Sequence, residues 1–154
     1  MSNSVSAIVL TQGLRDELKD CLLAIEKQSP PFSQVIVVNN SNIELDLSFL
    51  GEFNKKVLVL SLGGNFGTAA RNIGAALTKE KFLVFIDDDI VLSHTDTVKK
   101  VEMLLSRDKA PSAVCFKVAA PDSDEFQPMG PDSSLEAVRI DGFQTQKTVS
   151  GALP

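Results

Sequence analysis

The chain has 154 residues, of which 44% are hydrophobic and 23% are charged, and its formal net charge is −5. This composition is typical of one globular domain and excludes a disordered or fibrous protein. The negative charge, with no basic run longer than Lys99-Lys100, excludes a protein that gains its affinity from nucleic-acid phosphates.

The first half of the chain alternates between apolar strands and amphipathic segments. Val5–Leu10 is a continuous apolar run, which predicts a strand covered on both faces. The helix predicted after it ends at Pro30-Pro31. Its apolar residues recur at helical spacing, and they are Leu14, Leu18, Cys21, Leu22 and Ile25. Gln34–Val38 and Lys56–Leu60 are the second and third predicted strands, both buried.

A glycine-rich loop, Gly63–Gly67, opens the next part of the chain and leads into a predicted helix. The apolar face predicted for that helix consists of Phe66, Ala69, Ala70, Ile73 and Leu77. Phe82–Ile86 is the fourth predicted strand, and a helix around Asp96–Arg107 follows it. Ala113–Ala119 is the fifth predicted strand. Short apolar strands separated by single helices predict a three-layer α/β/α fold with a mostly parallel sheet.

The pattern changes after the fifth strand. Residues 121–134 are rich in Pro, Asp, Ser and Gly, which predicts a long exposed loop. Leu135–Ile140 and Thr145–Leu153 are predicted to form an antiparallel pair of strands, with Asp141-Gly142 in the turn between them. We therefore treat residues 1–154 as one domain, with an α/β core over 1–120 and the loop and strand pair over 121–154.

No stretch of the chain approaches the roughly 18 consecutive apolar residues that span a membrane, and the N-terminus lacks the positive segment of a signal peptide. We expect a cytoplasmic protein, with peripheral attachment to a membrane as the alternative. Cys21 and Cys115 fall in predicted regular elements and are expected to be free thiols. His94 is the single histidine and no Cys-x-x-Cys occurs, which excludes zinc sites rich in these ligands. We expect His94 to lie at the surface.

The segments that follow the first four predicted strands share a polar or glycine-rich character. They are, in chain order, Thr11-Gln12, Asn39-Asn40, Gly63–Gly67 and Asp87–Asp89. In an open parallel sheet, ligands bind beyond the carboxyl ends of the strands. The four segments are therefore expected to converge on one edge and form one ligand site.

The aspartate triplet Asp87–Asp89 is the most specific of these segments. If strand alternation continues through it, Asp87 and Asp89 face one side and Asp88 faces away. Neighbouring carboxylates repel each other unless a cation lies between them, and their oxygens suit Mg²⁺ or Mn²⁺ shared with substrate phosphates. The alternative is that the acids are solvated and cap the following segment. We favour the metal interpretation.

The glycine loop is less specific than the aspartates. It does not match Gly-x-Gly-x-x-Gly, and no Gly-Lys-Ser/Thr follows it, which disfavours a dinucleotide site and a P-loop. One role for it is a tight turn that lets the helix pack close to the sheet. The other role is to bring backbone N–H groups and Arg71 toward a nucleotide at the helix N-terminus. An arginine that extends its head into water is the alternative for Arg71.

The order of these motifs resembles the amino-terminal half of a family 2 glycosyltransferase with the GT-A fold. The resemblance covers roughly residues 5–118 and rests on five segments in order. These are Val5–Thr11, Cys21-Leu22 with Gln28, Val35–Asn40, Asn65-x-Gly67 with Ala70-Arg71-Asn72-x-Gly74, and Phe85–Asp89. The later Val149–Ala152 resembles the strand before the acceptor region of that family.

This resemblance implies that the chain binds a nucleoside-diphosphate sugar for a metal-dependent, inverting transfer. The nucleotide-binding residues that it implies are Thr11, Gln12, Asn39, Asn65, Arg71 and Asp87. The resemblance also implies that Asp87 and Asp89 bind the divalent metal, Mn²⁺ or Mg²⁺. In the family an acidic residue deprotonates the acceptor hydroxyl. No residue of this chain matches that catalytic base in sequence position, so the base remains unknown. The alternative is that a loop acid, Asp132 or Glu136 first, closes over the site as a substitute.

The chain departs from the family pattern in three respects. Asn39 stands where the second strand usually ends in Asp, which leaves the nucleotide base open, and Gln12-Gly13 replaces the usual pair after the first strand. The catalytic base and the acceptor-binding aromatics of the family lie beyond the position where this chain ends, and the chain has no Trp and no Tyr. We therefore expect a fold truncated on its carboxy-terminal side, a donor-binding half that transfers no sugar by itself. Its last strands are expected to form a homodimer contact.

Two other functions remain open at this point. The first is a non-catalytic nucleotide-sensing or interaction domain with the same fold. The second is a receiver-type phosphoryl-transfer domain, in which clustered aspartates bind Mg²⁺. The receiver interpretation lacks support because its acids would come from different strands and a lysine would end a later strand.

Overall fold

The computed structural model describes residues 5–116, 118–119, 126–127, 137–140 and 143–146. The chain divides into two compact units, Met1–Glu102 and Met103–Pro154. No helix in these described ranges is long and apolar enough to cross a membrane. The predicted homodimer contact falls in the carboxy-terminal part of the chain, most of which lies outside the described residues.

The first unit is built on four parallel strands that lie in the order β3-β2-β1-β4. They are β1 (Val5–Thr11), β2 (Gln34–Asn39), β3 (Val57–Ser61) and β4 (Phe82–Asp87). The helices are α1 (Asp16–Glu26), α2 (Ala70–Ala75) and α3 (Thr97–Leu105). Two 3-10 segments, Ser48–Lys56 and Gly67–Ala69, precede β3 and α2. The predicted α/β fold with a parallel sheet is confirmed, and the four strands lie within one residue of their predicted positions.

The core of the first unit lies along the two central strands. In β1 and β2, Ile8, Val9, Ile36, Val37 and Val38 are all fully buried, because each strand has a neighbour on both sides and helices above and below. The outer strands are less covered, with Leu58 in β3 45% exposed and Phe85 in β4 44% exposed. The prediction that β3 is a buried strand like the central pair is therefore wrong.

Helix α2 packs on the sheet through its smallest residues. Ala70 and Gly74 are buried, whereas Phe66, Ile73 and Leu77 are exposed. A Cβ atom on Gly74 would lie 2.6 Å from Cγ2 of Val38 and 2.9 Å from Cγ2 of Ile8. The predicted apolar face of this helix is therefore right for Ala70 and wrong for its other members, because close approach of the backbone selects the side that lacks bulk. The helix is also short, and Leu77 lies beyond its end.

Helix α1 covers the other face of the sheet. The step from β1 to β2 and the step from β3 to β4 run in opposite directions, so right-handed crossovers place α1 and α2 on opposite faces. Leu18, Cys21, Leu22 and Ile25 of α1 are buried as predicted, but Leu14 precedes the helix and is exposed. The Gln28 side chain joins α1 to α3, because its Oε1 accepts the Thr97 N–H at 3.0 Å.

The second unit contains short antiparallel pairs. Its strands are β5 (Val114–Phe116), β6 (Val118–Ala119), β7 (Phe126–Gln127), β8 (Ala137–Ile140) and β9 (Phe143–Gln146). The described strands form a sheet in the order β5-β9-β8 and a separate β6-β7 pair. The fifth strand predicted over Ala113–Ala119 is thus divided, and its first part pairs antiparallel with β9 rather than joining the parallel sheet.

The carboxy-terminal prediction is confirmed in its pairing and shifted in its bounds. Strands β8 and β9 pair antiparallel, with Ile140 opposite Phe143 across Asp141-Gly142. The second strand begins two residues earlier than predicted, and residues 147–153 lie outside the described ranges. Within the predicted loop over 121–134, only β7 is described. The predicted division of one domain into an α/β core over 1–120 and a loop with a strand pair over 121–154 stays a prediction.

Candidate functional site

The parallel strands bring the predicted site residues to one edge of the sheet. Thr11 at the end of β1 is paired in register with Asn39 of β2, and Asn39 with Ser61 of β3. On the other side of β1, Leu10 pairs with Asp87 of β4. The carboxyl ends of all four strands therefore meet, as the sequence predicts, and the loops that follow them surround one position.

The three aspartates lie in three different environments. Strand β4 ends at Asp87, and Asp88 and Asp89 form a turn in which the Ile90 N–H bonds to the Asp87 carbonyl at 3.1 Å. Strand alternation therefore does not extend beyond Asp87, and it cannot be used to place Asp89. Asp89 is exposed, and among the described residues its carboxylate has no hydrogen-bond or ion-pair partner.

Asp87 is joined to Arg71. The guanidinium of Arg71, in the first turn of α2, donates to Oδ1 of Asp87. The Arg71 side chain is 28% exposed and that of Asp87 is 44% exposed, so the pair is partly open to solvent. The structure thus brings two predicted nucleotide-binding residues into contact, and the Arg71 head contacts a carboxylate rather than extending freely into water.

Asp88 is engaged on the other side, with Thr11. The Thr11 hydroxyl is buried and lies 2.7 Å from Oδ2 of Asp88 and 2.7 Å from the Gly13 carbonyl. The same carboxylate oxygen accepts a hydrogen bond from Arg15 at 3.3 Å. Thr11 therefore contributes to an internal network, whereas Gln12 beside it is exposed. The strand pattern predicted only that Asp88 faces away from the side shared by Asp87 and Asp89. It could not predict Thr11 and Arg15 as the partners of Asp88, because a pattern in one segment does not show which other residues lie nearby.

Replacing Asp88 with alanine is expected to lower the free energy of unfolding by about 1 kcal/mol, because Arg15 loses its acceptor and the Thr11 hydroxyl keeps only the Gly13 carbonyl. The matched change Asp89→Ala, one residue later, should shift it by less than about 0.5 kcal/mol, since its carboxylate is exposed and pairs with none of the residues that the structure describes. Urea unfolding followed by circular dichroism measures both, because the chain has no Trp or Tyr for fluorescence. Equal losses in the two variants would contradict the assignment.

Asn39 and Asn40 use their amides in two different loops. Asn39 holds the turn that follows β2, since its Nδ2 donates to the Ile43 carbonyl at 2.6 Å and its Oδ1 accepts from the Ser41 hydroxyl at 2.7 Å. Asn40 is 1% exposed and faces the glycine loop. The sequence predicts that Asn40 lies at this edge, but Asn40 is not among the predicted nucleotide-binding residues.

The glycine loop is held by side chains. The Phe66 N–H donates to Oδ1 of Asn40 at 2.7 Å, and the Gly67 N–H donates to Oδ1 of Asn65 at 2.8 Å. These two backbone groups are already bonded, so they do not provide the free N–H groups that the sequence suggested for a nucleotide. Helix α2 spans six residues and begins after a 3-10 turn. The positive charge that this loop and helix offer a ligand therefore comes from the Arg71 side chain and not from a helix N-terminus.

The acids also affect the buried thiol behind them. Burial, together with the negative charges of Asp88, Asp89 and Asp87, raises the pKa of Cys21 to about 12. Cys21 is therefore a neutral, free thiol, and its S–H donates to the Asp87 carbonyl at 3.7 Å. This confirms the prediction of a small buried hydrophobe. His94 is exposed, as predicted.

The part of the protein that the structure describes offers only a few oxygen ligands for a metal ion at this edge. Among the described residues, no group of three or more His, Cys, Asp or Glu side chains is arranged to hold a metal ion. Asp89 and the partly exposed Asp87 nevertheless offer hard carboxylate oxygens. Mg²⁺ is commonly held by one or two carboxylates together with substrate phosphates, so this donor set fits a metal that arrives with its substrate.

Comparison with known proteins gives one family and one group of similar folds. Residues 6–150 match the family model described as Glycosyl transferase family 2. The search of curated protein sequences found no match. Among solved structures, TarS of S. aureus superposes with a TM-score of 0.57 at 23% identity, covering 66% of this chain and 19% of that chain.

Two complexes of the TarS fragment 1–349 superpose in the same way. The complex with UDP has a TM-score of 0.57 at 22% identity and covers 66% of this chain and 32% of that one. The complex with UDP-GlcNAc has a TM-score of 0.56 at 23% identity, with 66% and 31% covered. The chain thus shares its α/β fold with part of a GT-A protein and spans less than a third of the length of these matches.

Proposed function

The chain belongs to glycosyl transferase family 2, and we propose on this premise that it binds a nucleoside-diphosphate sugar at the carboxyl edge of β1–β4. The observation that carries the proposal is the Arg71–Asp87 pair beside the exposed carboxylate of Asp89. A cation and carboxylates that converge at one edge match the two needs of such a ligand. The diphosphate requires positive charge, and the ribose hydroxyls require acceptors.

The nucleotide-binding residues in this proposal remain Thr11, Gln12, Asn39, Asn65, Arg71 and Asp87, and they differ in how available they are. Gln12 and Asn65 are exposed, and an amide can both donate to and accept from a nucleotide base. Thr11 and Asn39 are buried and bonded within the protein, so they support the loops that would face the base. UDP and UDP-GlcNAc, which TarS binds in its complexes, are reasonable first ligands to test.

We also propose that Asp87 and Asp89 hold Mg²⁺ or Mn²⁺ together with the diphosphate. Asp89 offers a carboxylate that has no competing partner in the described part of the chain, whereas Asp87 shares its charge with Arg71. When bound, a divalent metal offsets the negative charge that develops on the leaving diphosphate. Arg71 adds positive charge to the same edge, and its contact with Asp87 keeps both side chains in place.

The transfer itself is proposed to invert the anomeric centre. The acceptor hydroxyl oxygen would attack the anomeric carbon on the face opposite the diphosphate, and an acidic residue would take its proton. The bond from the anomeric carbon to the diphosphate oxygen breaks as the new bond forms, and the nucleoside diphosphate leaves with that electron pair. No residue of this chain is assigned as that acid, so donor binding is the step on which this chain can be tested. The acceptor is a further partner whose identity the described residues do not specify.

A panel of nucleotides tests the proposal. UDP, GDP, ADP and their monophosphates are added with Mn²⁺, and thermal unfolding is followed by circular dichroism. A nucleoside diphosphate is expected to raise the melting temperature, since a ligand at a hundred times its Kd stabilises the folded state by about 2.7 kcal/mol. Arg71→Gln should reduce the shift, whereas the same change at the exposed Arg107 should keep it. A panel without any shift would contradict the proposal.

A further inference from the structure

Asn40 connects more of the glycine loop than any other described side chain at this edge. Its Nδ2 donates to Oδ1 of Asn65 at 3.0 Å and lies 3.2 Å from the Gly67 carbonyl, while its Oδ1 accepts the Phe66 N–H at 2.7 Å. We propose that Asn40 is a positioning residue for the nucleotide-sugar site, which it serves by fixing the segment that carries Arg71. This inference rests on the proposed function.

The anchor of Asn40 is the centre of the sheet. Its own N–H bonds to the Thr11 carbonyl at 2.8 Å, and its side chain is 1% exposed. The segment that it holds lies outside regular strands, and Gly63 and Gly67 adopt φ angles of 69° and 57°. A loop of this kind has no ladder of backbone hydrogen bonds to fix its path. The Asn40 amide supplies fixed bonds in place of such a ladder.

The held segment leads directly to the charged groups. Gly67 begins the 3-10 turn that continues into α2, and Arg71 is the second residue of α2. Arg71 then contacts Asp87 at the end of β4. A continuous series of contacts therefore connects Asn40 to Asp87. If the loop were displaced, the Arg71 guanidinium would move away from the edge. Gly74 holds the other end of α2 on the sheet and does not depend on Asn40.

Only an amide satisfies all the groups around this position. Asn40→Asp keeps the acceptor for Phe66 but places a carboxylate oxygen against the Asn65 and Gly67 oxygens, which both accept from Nδ2 of Asn40. Asn40→Ala removes donor and acceptor without adding charge. The control is Asn42→Asp, which makes the same chemical change on an exposed residue of the neighbouring turn.

The binding measurement is calorimetric titration of UDP and of GDP with Mn²⁺. Both Asn40 variants are expected to bind the preferred diphosphate about tenfold to a hundredfold more weakly, and Asn42→Asp less than about twofold. The measurement is repeated in the Arg71→Ala background. If Asn40 acts through Arg71, the two losses do not add, so Asn40→Ala costs little once Arg71 is absent.

Amide exchange gives a second readout that needs no ligand. The Phe66 N–H is expected to exchange faster in Asn40→Ala, while amides of β1 remain protected. Unchanged affinity in both Asn40 variants, or the same loss with and without Arg71, would overturn the positioning role and leave the proposed function intact. A wild-type chain that binds neither diphosphate, with Phe66 still protected through Asn40, would instead refute the proposed function.

Discussion

We expect Gly74→Ala to destabilise the protein more than one methyl group added at any other position of the described core. The new Cβ would lie 2.6 Å from Val38 and 2.9 Å from Ile8, both fully buried in the central strands. Neither neighbour can move without displacing the core, so α2 must shift outward. We expect a loss of about 1–3 kcal/mol in the free energy of unfolding.

This loss would oppose the intrinsic preference of the helix. In an exposed helix interior, alanine is about 1 kcal/mol more favourable than glycine, so a net loss identifies packing as its cause. Gly64→Ala is the matched control, because its Cβ would meet only a Phe66 ring carbon at 3.9 Å. Urea unfolding of both variants by circular dichroism decides the matter. A Gly74→Ala chain as stable as Gly64→Ala would show that α2 does not rest on the sheet at this point.

Asp89→Asn is expected to remove the dependence of nucleotide binding on metal. The wild-type chain should bind its preferred nucleoside diphosphate more tightly with Mn²⁺ than with a chelator, because the metal links the carboxylate to the phosphates. The amide keeps the shape of the side chain and loses its charge. Its affinity in Mn²⁺ should fall by at least about tenfold, to the value measured with the chelator.

Asp88→Asn is the matched control for this effect. It removes the same charge one residue earlier, from a carboxylate that is bonded to Thr11 and Arg15 and not open to a ligand. Its affinity should still depend on Mn²⁺, although its stability falls. The opposite result, a metal dependence that survives in Asp89→Asn and disappears in Asp88→Asn, would contradict this assignment. It would show that the metal depends on Asp88 and not on Asp89.

The parallel sheet and its functional edge could be predicted because both follow from local patterns. Continuous apolar runs such as Val5–Leu10 identify buried strands, and intervening helices imply parallel crossovers. Once the strands are parallel, their carboxyl ends must share an edge, whatever the side chains do. That is why Thr11, Asn39 and Asp87 meet as expected.

Other features depend on contacts that no periodicity contains. The pattern predicts Ala70 but not Gly74 on the buried side of α2, because a helical pattern favours large apolar residues, whereas both buried residues of this helix are small. Asp89 could not be placed because a turn interrupts the strand at Asp87. Asn40 was not assigned a role, since its value lies in hydrogen bonds to a loop 25 to 27 positions later in the chain.

The fifth strand was misplaced for a related reason. An apolar run such as Ala113–Ala119 predicts an extended segment, but it does not say which strand it pairs with. In the structure, Val114–Phe116 pairs with Phe143–Gln146, far along the chain and antiparallel. Pairing between distant segments depends on their shapes and on what else is available to pair, and neither can be read from one segment alone.

The most direct test of the nucleotide-sugar site is a nitrogen-15 correlation spectrum of the labelled chain during titration with UDP-GlcNAc and Mg²⁺. We expect the amide signals of Gln12, Asn65, Arg71 and Asp87–Asp89 to shift together as one saturable event. The signals from Leu22 to Lys27, on the far part of α1, should remain in place. A spectrum that is unchanged at millimolar nucleotide, or shifts confined to residues away from the carboxyl edge of β1–β4, would contradict the proposed site.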